Sequence, residues 1–128
     1  MVAAVILGLG IDALELPRFA RASARFGDRL AARLFTPGER AYAAARRRAD
    51  QSLAVRFAAK CAARRALADG RLRWHDIEVV REPYRAPALR FHGAAERRAQ
   101  RLGVARAALT LSHGEGVCIA QVVLEGAP

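Results

Sequence analysis

Gln51-Ser52-Leu53-Ala54-Val55-Arg56-Phe57-Ala58-Ala59-Lys60-Cys61-Ala62-Ala63-Arg64-Arg65-Ala66-Leu67-Ala68 is the longest helical stretch of this sequence. It contains neither Gly nor Pro and stops near Asp69-Gly70, a helix-ending pair. Leu53, Phe57, Cys61 and Arg65 fall at i, i+4 steps, and Arg56, Lys60 and Arg64 form the neighbouring row. One row is largely apolar and the next wholly cationic. That arrangement suits a helix at the edge of an anion site, although solvent is the usual partner of a cationic row.

Shorter elements flank this helix. Val2–Leu9 is an apolar run closed by Gly10, a plausible buried strand. Pro17 opens a helix that runs to about Phe26, Pro being favoured at a first helical position. Thr36-Pro37-Gly38-Glu39 has the spacing of a capping box and starts a helix over roughly Pro37–Arg47. Ile77–Glu82 and Ala88–His92 read as strands around a Pro83–Pro87 turn. Ala94–Leu102 is a helix ended by Gly103. Ala107–Ser112 and Val117–Leu124 form a hairpin around Gly114-Glu115-Gly116. The order strand, three helices, two strands, helix, two strands predicts an α+β fold, a mostly antiparallel sheet packed against the long central helix.

The 128 residues make one domain, and no linker or repeat divides them. Of the 53% apolar residues, 30 are alanines; the 38 larger ones supply only a modest core, which subunit association would help. This composition excludes disorder, a collagen-like chain and a disulfide scaffold. Cys61 and Cys118 lack metal-ligand spacing, and a reducing cytoplasm is the expected compartment. No apolar run reaches membrane-spanning length, and Met1–Gly10 lacks the basic start of a signal peptide. The formal charge is +10, and 21 of the 22 cations are arginine. Such a balance favours anionic partners. With no aromatic-basic interleaving and no known motif, nucleic acid is not expected among them.

Arg18, Arg21, Arg25 and Arg29 share one face if their helix extends that far, either as a docking stripe for an acidic partner or as a solvated face. Asp12 follows the first strand directly, at a rim where metal-phosphate chemistry is common and where turn-capping is equally natural. His113 ends an apolar strand, at a cleft mouth or in a hydrogen-bonded turn. His75 and His92 lie in charged surroundings and read as structural. Both cysteines read as small buried hydrophobes.

In order along the chain, these segments resemble the holo-acyl-carrier-protein synthases, the small trimeric 4'-phosphopantetheinyl transferases. Gly10-Ile11-Asp12-Ala13-Leu14-Glu15-Leu16-Pro17-Arg18 is similar to the family's opening motif, and Phe35-Thr36-Pro37-Gly38-Glu39 to its second signature. Arg56-Phe57-Ala58-Ala59-Lys60 resembles the start of its central helix motif. Asp76-Ile77-Glu78-Val79-Val80 and Pro87-Ala88-Leu89-Arg90-Phe91-His92-Gly93 resemble its hairpin, and Leu111-Ser112-His113 its last signature. The resemblance runs from Val5 to Glu125 and implies a single phosphopantetheinyl transferase-like domain over 1–128. It implies transfer of 4'-phosphopantetheine from coenzyme A to a serine of an acidic apo-acyl carrier protein. It also implies a magnesium ion on the pyrophosphate and active sites between subunits of a homotrimer. By the same resemblance Asp12 is the magnesium ligand and Arg18, with Arg21 and Arg25 beside it, binds the carrier. Arg56, Lys60, Arg64 and His113 lie near the coenzyme A phosphates.

The pattern departs from the family at two positions. Cys61 stands where the family has a second metal-binding glutamate, and Arg65 where it usually has a lysine. Arg keeps the cation but cannot act as a base. A thiol is a poor magnesium ligand, so Mg2+ is expected to be weakened or absent, at a cost of several kcal/mol of transition-state stabilisation on the scale of metal catalysis. Three outcomes are compatible with this. Asp12, water and a nearby carboxylate such as Glu15 still hold the metal. Alternatively, transfer is lost and carrier binding kept. In the third, Cys61, its pKa lowered beside Lys60 and Arg64, acts with His113 on a carrier-bound acyl chain. In these readings Asp12, Lys60, Cys61, Arg65 and His113 form the catalytic set.

Overall fold

A computed structural model describes residues 4–128. The elements are β1 (Val5–Glu15), α1 (Leu16–Leu34), α2 (Pro37–Ala44), α3 (Ala49–Leu67), a 3-10 turn (Trp74–Asp76), β2 (Ile77–Val80), β3 (Ala88–Phe91), α4 (Gly93–Leu102), β4 (Val104–His113) and β5 (Val117–Gly126). They form an antiparallel sheet in the order β1-β5-β4, with α3 across one face, and a separate β2-β3 hairpin. This is the α+β arrangement read from the sequence.

The first strand differs from its expected length. It does not stop at Gly10 but continues to Glu15 in register with β5; Val2 and Ala3 lie outside the described residues. The glycines serve packing instead. A Cβ on Gly8 would meet the Ala66 carbonyl oxygen, and one on Gly10 the Ala62 carbonyl oxygen. Here β1 and α3 touch backbone to backbone, which Gly alone permits. On α3 the facing residues are Ala58, Ala59, Ala62, Ala63 and Ala66, all buried. Small side chains let the helix sit close, so the alanine content that thins the core also fixes its geometry.

The remaining core is more conventional. Cys118, Ala120, Val122 and Leu124 of β5 point at α3, and Phe19, Phe35, Phe57 and Trp74 form an aromatic cluster. Thr36 caps α2 in a full capping box with Glu39, as its spacing predicts. Helix α1 runs past Phe26 to Leu34, but Gly27, with φ +56° and ψ −136°, kinks it at that point. Only Gly reaches that backbone region without strain.

The cationic row of α3 is not the open anion-facing edge its pattern suggested. Lys60 is wholly buried: its Nζ donates to Glu39 Oε1 at 2.6 Å and to the Trp74 carbonyl at 2.9 Å. Glu39 also accepts the backbone N–H groups of Thr36 and Val79. Beside this pair, Thr36 Oγ1 donates to Glu78 Oε2, and His92 Nε2 lies 3.0 Å from Oε1. Burial pushes the Glu78 carboxyl up, but the bonds to Thr36 and His92 outweigh it, so its pKa falls below the ordinary glutamate value. The network ties α2 and α3 to the hairpin.

Candidate active site

Alternation along β1 places Gly8, Gly10, Asp12 and Leu14 on the face toward α3. Asp12 therefore sits mid-strand under the helix and not at the strand end expected from the sequence. Arg65 Nη2 donates to its Oδ1 at 3.4 Å, and the Cys61 thiol, one turn earlier on α3, lies near enough to feel the same carboxylate. Burial first, then the charge of Asp12, push the Cys61 thiol up to about 12; Arg64 and Arg65 offset this only in part. That reverses the lowered pKa expected of a nucleophile there. At about pH 8 its thiolate population is roughly a thousandth that of an ordinary cysteine. Alkylation of Cys61 by iodoacetamide should stay slow until strongly alkaline pH. A profile with the ordinary midpoint, about 8.5, would contradict this placement.

Cys61 and Arg65 line a cleft of about 330 Å3 with Arg64, Asp69, Gly70 and Trp74. The Arg64 guanidinium stacks on the Trp74 ring at 3.9 Å and donates to the Gly70 carbonyl. Lys60 turns away from this cleft toward Glu39. Glu15, the suggested second carboxylate, alternates to the opposite face of β1 from Asp12. Among the described residues no three His, Cys, Asp or Glu side chains gather to hold a metal ion. Asp12 is faced by a guanidinium and a protonated thiol. Magnesium prefers hard oxygen ligands, and this donor set does not fit it.

A second, larger cleft of about 780 Å3 opens at the N-terminus of α3, lined by Arg46, Arg47, Arg48, Arg56, Arg81 and His113 among others. Gln51 lies between Arg48 and His113: its Oε1 accepts from Arg48 and its Nε2 donates to His113 Nδ1 at 2.8 Å. That bond leaves His113 Nε2 as the donor of the neutral ring. Arg56, itself buried, is held by Ser52 and stacks on Tyr42 at 4.1 Å, while its Nε has no partner. A helix N-terminus fringed by guanidinium groups is a strong anion receptor. Sequence reasoning found Arg56 and His113 but missed Tyr42, Gln51, Arg81 and the Arg46-Arg47-Arg48 run; that run, immediately ahead of the long helix, was the available signal.

The two clefts do not meet within one chain. Asp12 and His113 share the helix-facing side of the sheet but lie on its outer strands, with β5 between them, roughly 10 Å of sheet width. Along α3, Cys61 is ten residues beyond the Gln51 that holds His113, about 15 Å of helix. A Cys61–His113 pair is thus not formed in the chain. Arg18, Arg21 and Arg25 are exposed on α1 ahead of the kink, and Arg29 lies beyond it. The sheet face away from α3 exposes Leu9, Ile11 and Ile119.

An α+β scaffold carrying two arginine-lined clefts has the charge and donor geometry that suit a phosphorylated ligand. The sequence model of the 4'-phosphopantetheinyl transferase superfamily matches residues 8–122, and the chain belongs to that family. It is 47% identical over 124 residues to the holo-acyl-carrier-protein synthase of Koribacter versatilis, covering 94% of this chain and 99% of that one. Among solved structures, the holo-acyl-carrier-protein synthase of Neisseria meningitidis superposes with a TM-score of 0.87 at 28% identity, covering 94% and 98% of the two chains. The Bacillus anthracis protein, in complex with coenzyme A (3',5'-ADP), gives a TM-score of 0.79 at 31% identity over 98% of this chain and 100% of that one.

Proposed function

We propose that this chain transfers 4'-phosphopantetheine from coenzyme A to a serine of an acidic apo-acyl carrier protein, as a single-domain cytoplasmic enzyme working as a homotrimer. The observation that carries the reading is the cleft at the N-terminus of α3, whose five arginines and His113 match the several phosphates of coenzyme A in charge. The unpartnered Arg56 Nε is a buried donor awaiting an acceptor. In the reaction the serine oxygen bonds to the β-phosphorus while the bond to the 3',5'-ADP oxygen breaks. Negative charge passes to that leaving oxygen and the hydroxyl proton to water. The arginine cleft holds the ADP end and orients the diphosphate for in-line attack. Mg2+ is weakened or absent in this reading, and no step is assigned to it.

Assembly joins the two half-sites. Asp12 and His113 lie on opposite outer strands, so head-to-tail packing would bring the β1 edge of one copy beside the β4 edge of the next, and a threefold rotation between copies would close such contacts into the trimer. The apolar face of Leu9, Ile11 and Ile119 supplies the surface such packing buries.

Intact-mass measurement of an apo-carrier protein after incubation with coenzyme A tests the proposal: a gain of one phosphopantetheine group supports it. No gain from folded protein, with or without divalent ions, rejects it. Arg18→Glu, Arg21→Glu and Arg25→Glu together should raise the carrier KM about tenfold or more at low salt, while coenzyme A binding is unchanged. The difference should shrink as salt screens the exposed charges.

A further inference from the structure

We infer that Arg65, positioned by Asp12, is the resident cation for the diphosphate of coenzyme A, so that the ligand binds without a divalent metal. The inference rests on the proposed function and begins with the surroundings of Asp12. Asp12 is the sole carboxylate on the helix-facing side of β1, whose other members there are Gly8, Gly10 and Leu14. Arg65 Nη2 engages its Oδ1, occupying the position from which a cation would approach. A divalent ion placed there would face that guanidinium at close range, with Arg64 on the same cleft wall. Two like charges make the position hostile to a metal and hospitable to a diphosphate.

The geometry of Arg65 also suits a ligand. Its side chain is 65% exposed and makes one hydrogen bond, to Asp12. The guanidinium carries five N–H donors in a fixed fork, so most remain available for a bidentate grip on phosphate oxygens. An ion pair this exposed contributes little to stability; its effect is to aim the fork at the cleft. Asp12 is then a positioning residue, and Arg65 the group that touches the ligand. The third neighbour on the cleft wall is Cys61, a soft donor and a poor ligand for a hard divalent ion.

Calorimetry of coenzyme A binding to the chelator-treated full-length protein, with and without added Mg2+, tests this. The affinity should agree within about threefold between the two conditions, and Arg65→Ala should weaken it about tenfold or more, the scale of a lost guanidinium–phosphate contact. Arg65→Lys should recover part of the loss, and Asp12→Asn should cost less than Arg65→Ala. As a readout independent of activity, the spectrum of free Mn2+ should be unchanged by the wild-type protein and depleted by Cys61→Glu. Coenzyme A binding that requires Mg2+, or wild-type capture of Mn2+ abolished by Asp12→Asn, would overturn the inference while leaving transfer itself intact. Metal-free binding without transfer to any carrier would uphold it and reject the enzymatic reading.

Discussion

Lys60→Met is expected to destabilise the protein by about 3–5 kcal/mol, the scale of removing one partner from a buried ion pair. Lys60 and Glu39 have side chains of zero exposure and meet at 2.6 Å. With the ammonium gone, the Glu39 carboxylate keeps only the N–H groups of Thr36 and Val79. The Trp74 carbonyl loses its donor as well. A small domain has about 5–15 kcal/mol of stability in all, so the loss is a large fraction. The pair itself is no great stabiliser: burial pushes the Lys60 ammonium below its ordinary pKa even with Glu39 beside it. Desolvation thus exceeds the attraction, and Lys60→Met with Glu39→Gln should recover much of the single-variant loss. Urea denaturation of the three variants checks both statements. A single-variant loss under about 1 kcal/mol would show that Lys60 is not the buried partner described.

Gly10→Ala is expected to cost about 3 kcal/mol, at the upper end of ordinary overpacking. The added Cβ would overlap the Ala62 carbonyl oxygen and stand 2.8 Å from its carbon and 2.9 Å from the Ala66 nitrogen. These are main-chain atoms, so no rotamer change makes room, and α3 must lift from β1. Because Asp12 and Arg65 lie along this same seam, displacement of the helix should also weaken coenzyme A binding. Gly114→Ala, with nothing within 4 Å of its Cβ, is the control and should stay within about 0.5 kcal/mol of wild type. Equal melting temperatures for the two variants would mean that the close approach is not a packing constraint.

These two residues mark where the sequence stopped being readable. Both were noticed, but Gly10 was read as the end of a strand and Lys60 as part of an anion-facing row. Gly10 proved a contact point, because a missing side chain says nothing about what fills its space. Lys60 proved interior, because its burial depends on a carboxylate 21 positions away. Glu39 was identified through its capping partner three residues back, while its second role toward Lys60 left no local mark.

The site shows the same division. Asp12, Arg56, Arg65 and His113 were singled out by residue type and by resemblance to a family. The contact between Asp12 and Arg65 spans 53 positions, and the arginine cleft draws on α2, α3, the hairpin and β4. By itself the chain determined the start of α2, the ends of α3 and α4, the β4–β5 hairpin and its family, since caps and turns are settled among residues within about four positions of one another. Tertiary packing alone decided which cations face ligand and which face Glu39. That choice turns on the approach of α3 to β1 across two glycines, a distance set by long-range contact and written in no single segment.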